Sequence, residues 1–294
     1  MGRYERRVLL GAVTGAVCAL GLLLLLGFHT SRLPARSRPP DSVLPPAPLK
    51  PLAGVVVVLD PGHGGQDPGT VCGPVSEAAL TYRTATEVAA CLRAQGAETV
   101  YTVRSRQLDP SLALVEPPPA RPTDAVMAAT AQPLRRRRSA EPLWQRARTA
   151  RAVWAHRIRW DPDARRNVFF VSLHFDQFGA ADVSGSVVCV DRRVRRLPAL
   201  GAVLAAQMAQ GNFGRRCDFR GLAGVSGREL GVLNPEQNPI PEKVLLELAT
   251  LSNPMDALQA GDPAWRTEMA HRIADAIVLV HQDKDSARKN LAAR

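Results

Sequence analysis

Residues 55–70, VVVVLDPGHGGQDPGT, constrain the fold more than any other stretch of this chain. Four consecutive valines and a leucine show no polar alternation, so both faces of such a strand must be covered, as in a parallel sheet packed between helices. The run ends in Asp60, Pro61 and a glycine-rich turn that carries a lone histidine, His63. In open α/β sheets, ligands bind outside the carboxyl ends of the strands, which is where this turn would lie. Neither G-x-G-x-x-G nor G-x-x-x-x-G-K-[ST] is present, so the turn does not read as a phosphate cradle.

The rest of the chain repeats the alternation. Residues 76–97 read as a helix, with Ser76 as N-cap, Leu80, Val88 and Leu92 on its apolar face, and Gly96 at its end. ETVYTV (98–103) is a strand. LWQRARTARAVWAHRI (143–158) is a helix, and NVFFVSLHFD (167–176) and GSVVCVD (185–191) are strands. Residues 197–210 form a helix, KVLLELATLS (243–252) a strand, and 264–282 a closing helix. This order predicts an α/β fold with a mainly parallel sheet covered by helices on both faces. Residues 108–142, rich in proline and arginine, break the pattern. Loops of that length are functional or disordered.

Ahead of the folded part, residues 1–7 are basic and residues 8–28 form an uninterrupted apolar run, close to the roughly 20 residues a helix needs to span about 30 Å of hydrocarbon. The run exceeds the apolar core of a typical signal peptide and no clear cleavage site follows, so it reads as an uncleaved transmembrane anchor. Residues 29–54 are a proline-rich tether, and 284–294 a charged tail. The net charge of +11 favours a polyanionic partner, but no nucleic-acid-binding motif accompanies it, and nucleic acid is not expected. Of five cysteines, Cys72, Cys91, Cys189 and Cys217 lie beyond the anchor. None forms C-x-x-C, and in an oxidising compartment they can pair in three ways that spacing does not separate.

His63 follows the first strand, His174 closes VFFVSLH and Glu247 interrupts VLLELATL, so parallel strands would carry all three to one edge of the sheet. Two imidazoles and one carboxylate suit Zn2+ with a position left for water. Glu77, in the first turn of the helix after the glycine loop, competes with Glu247 for the third place. An ionised glutamate among leucines is costly unless compensated, and a metal-bound water would compensate it. Glu77 is therefore assigned as ligand and Glu247 as general base, accepting a proton from water whose pKa zinc lowers to about 7. No H-E-x-x-H occurs, and His29, His156, His271 and His281 are read as structural or surface residues.

LDPGHGGQDPGT, SEAAL, FFVSLHFD and VLLELATLSNP resemble, in order, the signatures of the zinc-dependent N-acetylmuramoyl-L-alanine amidases of bacterial cell-wall metabolism. The resemblance spans residues 55–282. It implies zinc ligands at His63, Glu77 and His174, a catalytic glutamate at Glu247, and a twisted sheet of about six strands in a catalytic domain over residues 55–283. The implied reaction cuts the amide between N-acetylmuramic acid and L-alanine of peptidoglycan, in the cell envelope. The anchor would hold the domain on the periplasmic side of the inner membrane, or the protein would be exported if the anchor is cleaved. Arg146, within QRARTA, matches an arginine of the family pattern and is expected to bind substrate, but the asparagine that accompanies it there is missing. LATL replaces the Gly-Phe common after the glutamate and is expected to reshape the pocket wall. The insertion 108–142 is either a disordered decoration or a contact for anionic wall polymer or a regulatory protein. These departures leave a second reading, an amidase-like wall-binding or regulatory protein with little or no activity.

Overall fold

The computed structural model describes residues 50–64, 67–72, 75–103, 141–177, 181–211 and 217–292. The anchor expected at 8–28, nearly all of the tether and nearly all of the insertion lie outside these residues. Among the described residues no helix is long and apolar enough to cross a membrane. The chain runs through β1 (Val56–Pro61), the short strands β2 (Val71–Cys72) and β3 (Val75–Ser76), α1 (Glu77–Ala94), β4 (Glu98–Tyr101), α2 (Glu141–Trp160), β5 (Val168–Asp176) and β6 (Val187–Asp191). It continues through α3 (Ala199–Gln210), the ribbon of β7 (Asp218–Phe219) and β8 (Leu222–Ala223), β9 (Val225–Arg228), β10 (Glu242–Thr250), α4 (Pro254–Gly261) and α5 (Pro263–Ala292).

Six strands form one sheet in the order β4-β1-β5-β10-β6-β9. The first four are mutually parallel, β6 is antiparallel to β10, and β9 is parallel to β6. The reversal after β5 has a simple cause. Residues 177–186 are too few to hold the crossover helix that a return in the same direction requires. The sheet is thus mostly parallel, with a reversed pair at one edge that the sequence patterns do not announce.

The lack of alternation in β1 is explained by its two covered faces. Val57 and Leu59 pack with Leu80, Val88 and Leu92 of α1 and, further along the sheet, with Leu204 of α3 and Ile273 of α5. Val56 and Val58 pack on the other face with Ala150 and Val153 of α2. Each fully buried aliphatic or aromatic side chain of this kind contributes about 1.5–3 kcal/mol.

Two boundaries differ from the sequence reading. Leu52, counted within the tether, is fully buried, and its N–H donates to the Gln95 carbonyl at 2.9 Å. At the other end, α5 continues to Ala292 instead of giving way to a separate tail. Among the described residues, Cys72, Cys91, Cys189 and Cys217 form no disulfide.

Candidate metal centre

Three elements deliver one cluster. β1 ends at Pro61, and the chain turns through Gly62 into His63, whose φ of 59° is left-handed and costs about 1–2 kcal/mol for a residue with a side chain. Two contacts hold this turn. Thr81 Oγ1 on α1 donates to the Gly62 carbonyl at 2.8 Å, and the Arg146 guanidinium on α2 donates to the carbonyls of Pro61 and His63. Glu77 opens α1 behind its N-cap, Ser76, whose hydroxyl accepts from the Ala79 N–H at 3.3 Å. His174 lies near the carboxyl end of β5.

The ligand atoms offered by His63, Glu77 and His174 all lie within 4.8 Å of one another. Glu77 Oε1 sits 3.1 Å from His63 Nε2 and 3.2 Å from His174 Nδ1. The same oxygen accepts the Phe175 N–H at 3.0 Å, and Oε2 accepts the Thr70 N–H at 3.0 Å. Burial by itself would raise the Glu77 pKa, but the hydrogen bonds from His174, His63 and the two backbone amides outweigh it and hold the carboxyl well below its ordinary range. Burial by itself would likewise lower the His63 pKa. Its bonds to Glu77 and Asp67 reverse that and lift it to about 9. Asp67 Oδ2 holds His63 Nδ1 at 3.0 Å, which leaves Nε2 to face the cluster.

The glycines of the opening motif are required by close approach. A β-carbon on Gly62 would stand 2.4 Å from the His174 ring. One on Gly69, at φ +65°, would stand 2.6 Å from Glu77 Oε2 and 2.7 Å from the His63 ring. The backbone therefore packs directly against the three side chains, and no larger residue fits.

Glu247 is brought to the cluster by strand register. β10 lies beside β5 with Glu247 paired to His174, so the two side chains share one face. Glu247 is buried, its Oε2 has no hydrogen-bond partner among the described residues, and burial pushes its carboxyl up to about 7. Two imidazole nitrogens, a carboxylate and a buried carboxylate oxygen in need of a partner suit a divalent cation with a bound water.

Arg146, expected to meet substrate, is instead buried beneath the loop, and its Nη1 bonds Asp60 Oδ1 at 2.8 Å. Asp60 also accepts hydrogen bonds from Thr102 Oγ1 and, at 2.6 Å, from Ser172 Oγ. Arg146 thus supports the loop that carries His63. The sequence reading also passed over Asp60 and Asp67. A carboxylate ending an apolar strand is the same signal that picked out Glu247, and it was available for Asp60. Of LATL, Leu248, Ala249 and Leu251 are buried in the core on the side of α1, α3 and α5, while Thr250 is buried opposite Asp176 in the register of β10 with β5. The asparagine of LSNP caps α4, accepting from the amides of Met255 at 3.0 Å and Asp256 at 3.2 Å.

The germination-specific N-acetylmuramoyl-L-alanine amidase of Bacillus subtilis is 24% identical over 234 residues, covering 80% of this chain and 83% of that protein. The N-acetylmuramyl-L-alanine amidase of Mycobacterium smegmatis has a similar fold, with a TM-score of 0.57 at 21% identity, over 79% of this chain and 99% of that one. The CwlD amidase of Clostridioides difficile, solved in complex with the GerS lipoprotein, aligns with a TM-score of 0.53 at 17% identity, over 77% of this chain and 98% of that one. The family model for N-acetylmuramoyl-L-alanine amidase matches residues 57–278, a span that holds every member of the cluster. The chain belongs to the N-acetylmuramoyl-L-alanine amidase family.

Proposed function

We propose that this protein is a zinc-dependent amidase that hydrolyses the bond between N-acetylmuramic acid and L-alanine of peptidoglycan. His63, Glu77 and His174 would hold the ion, with Glu247 as general base. One observation carries the reading: three ligand atoms from separate elements converge within 4.8 Å, beside a buried glutamate with one oxygen that has no partner among the described residues. A divalent ion so held supplies a Lewis acid that polarises the scissile carbonyl and acidifies water. The protein's own groups do the rest. Asp67 and the amides of Phe175 and Thr70 keep His63 and Glu77 in their working orientation. Glu247 takes the proton of the attacking water as the new C–O bond forms, and returns it to the leaving nitrogen as the C–N bond breaks. The products are the muramic acid carboxylate and a free peptide amine.

Replacing Glu247 with Gln tests this assignment. Zinc content should stay at the wild-type level, while release of stem peptide from purified peptidoglycan falls by at least about a hundredfold. Undiminished release would remove Glu247 from the chemistry. The rival reading, an amidase-like wall binder with little activity, drew on LATL and the missing asparagine. Its first motive weakens because Leu248, Ala249 and Leu251 are core residues. For location, we propose a cell-envelope protein with residues 8–28 as membrane anchor and the residues that follow as tether to the catalytic domain.

A further inference from the structure

The face of the sheet that carries Glu247 also carries a cation that the hydrolytic chemistry does not use. Ser226 pairs with Cys189 across β9 and β6, and Cys189 pairs with Leu245 across β6 and β10. Alternate residues share a face, so Ser226 and Arg228 lie on the side of Leu245 and Glu247. From the end of β9 the Arg228 side chain passes Ser226, with Nε 3.4 Å from Ser226 Oγ, and brings Nη2 to 3.8 Å from Asp176 Oδ2 at the end of β5. Asp176 stands two residues beyond His174. The guanidinium thus reaches back over the floor of the site.

Three features mark Arg228 as a binding group rather than a structural one. Its side chain is 36% exposed, against 14% for Asp176, so the cation opens to solvent at the rim of the site. A separation of 3.8 Å exceeds hydrogen-bonding distance, and among the described residues the one hydrogen bond of its side chain is the long contact to Ser226. Most of its five donors are therefore available. Finally, it extends from the sheet face that carries Glu247, toward the end of β5 that carries His174. A substrate anion entering beside Glu247 would meet repulsion from Glu247 and Asp176 unless a cation compensated it. A guanidinium fork matches a carboxylate with two parallel hydrogen bonds.

We propose that Arg228 binds a carboxylate of the stem peptide on the amine side of the scissile bond, with Asp176 as its counter-charge when no substrate is present. This rests on the amidase reading above and adds a substrate preference to it. The carboxylate nearest the cut is the α-carboxylate of the residue that follows the alanine. A stem with that group free is therefore the preferred substrate over one with it amidated.

The test uses the zinc-loaded full chain and two probes, an N-acetylmuramoyl-L-alanyl-D-glutamyl peptide with its α-carboxylate free and the same compound as the α-amide. The wild type should favour the free acid by about 10- to 100-fold in kcat/KM, mostly through KM. In Arg228→Gln the preference should collapse toward unity, with the loss concentrated on the free acid. Arg228→Lys keeps the charge without the fork and should retain part of the preference. Equal cleavage of the two probes by the wild type overturns the inference, and that comparison needs no variant to fold. So does an Arg228→Gln enzyme that keeps the wild-type ratio while only its pH profile moves, since Arg228 would then merely tune Glu247. If the zinc-loaded wild type cleaves neither probe nor peptidoglycan, the amidase reading itself fails and takes this one with it.

Discussion

Asp60 is fully buried and takes hydrogen bonds from Arg146, Ser172 and Thr102, while Arg146 in turn holds two carbonyls of the turn that carries His63. Removing one partner of a buried ion pair leaves the other charge uncompensated. Asp60→Asn is therefore expected to lower stability by about 3–5 kcal/mol, read from the urea midpoint. A loss below about 1 kcal/mol would mean the pair contributes little to the loop. Lys243 gives a pH-dependent counterpart on β10. Its Nζ donates to the carbonyls of Asn238 at 2.9 Å and Ile240 at 3.0 Å, and burial pushes its ammonium down to about 8. Between that value and its ordinary value of 10.5 the unfolded chain binds more protons than the folded one. Stability from this group is therefore greatest above the unfolded pKa and is lost as pH falls toward about 8, a difference of about 2–3 kcal/mol. Urea titrations from pH 8 to 10 should show the gain in wild type and not in Lys243→Met.

At the scale of elements, the site is assembled by β1, α1, β5 and β10, and the glycine loop fixes how closely they approach. Gly69→Ala forces a β-carbon against Glu77 and His63 in a backbone conformation that alanine resists. Zinc affinity should fall by about 10- to 100-fold, as for other disturbances of the shell around a ligand. The far-UV circular dichroism should hardly change, because neither core cluster contains this loop. Titration of the variant with zinc measures the first effect, and the spectrum of the same sample the second. Retained affinity would show that the loop relaxes without disturbing the ligands.

For the whole molecule, a cation bound only by the folded state ties stability to metal. Its ligands come from β1's loop, α1 and β5, which lie far apart in sequence and meet only on folding. Chelation should abolish peptide release and lower the melting temperature by about 5–10 °C, with both restored by zinc. A melting curve indifferent to chelator would contradict a metal bound at this cluster.

Much of this was legible in the chain itself. The apolar runs at residues 55–59 and 244–246 pointed to doubly covered strands, and His63, His174 and Glu247 stood out because each ends or interrupts an apolar pattern, whereas Glu77, a first-turn acid, did not. The bonds of Arg146 to the loop carbonyls were not legible, nor was the reversed pair β6 and β9, nor the reach of Arg228 toward Asp176. Those depend on strand order and on where long side chains run between elements, and both are set by packing among segments distant in sequence. Local pattern fixes which face of a strand a residue occupies, whereas only the assembled sheet decides what stands opposite it.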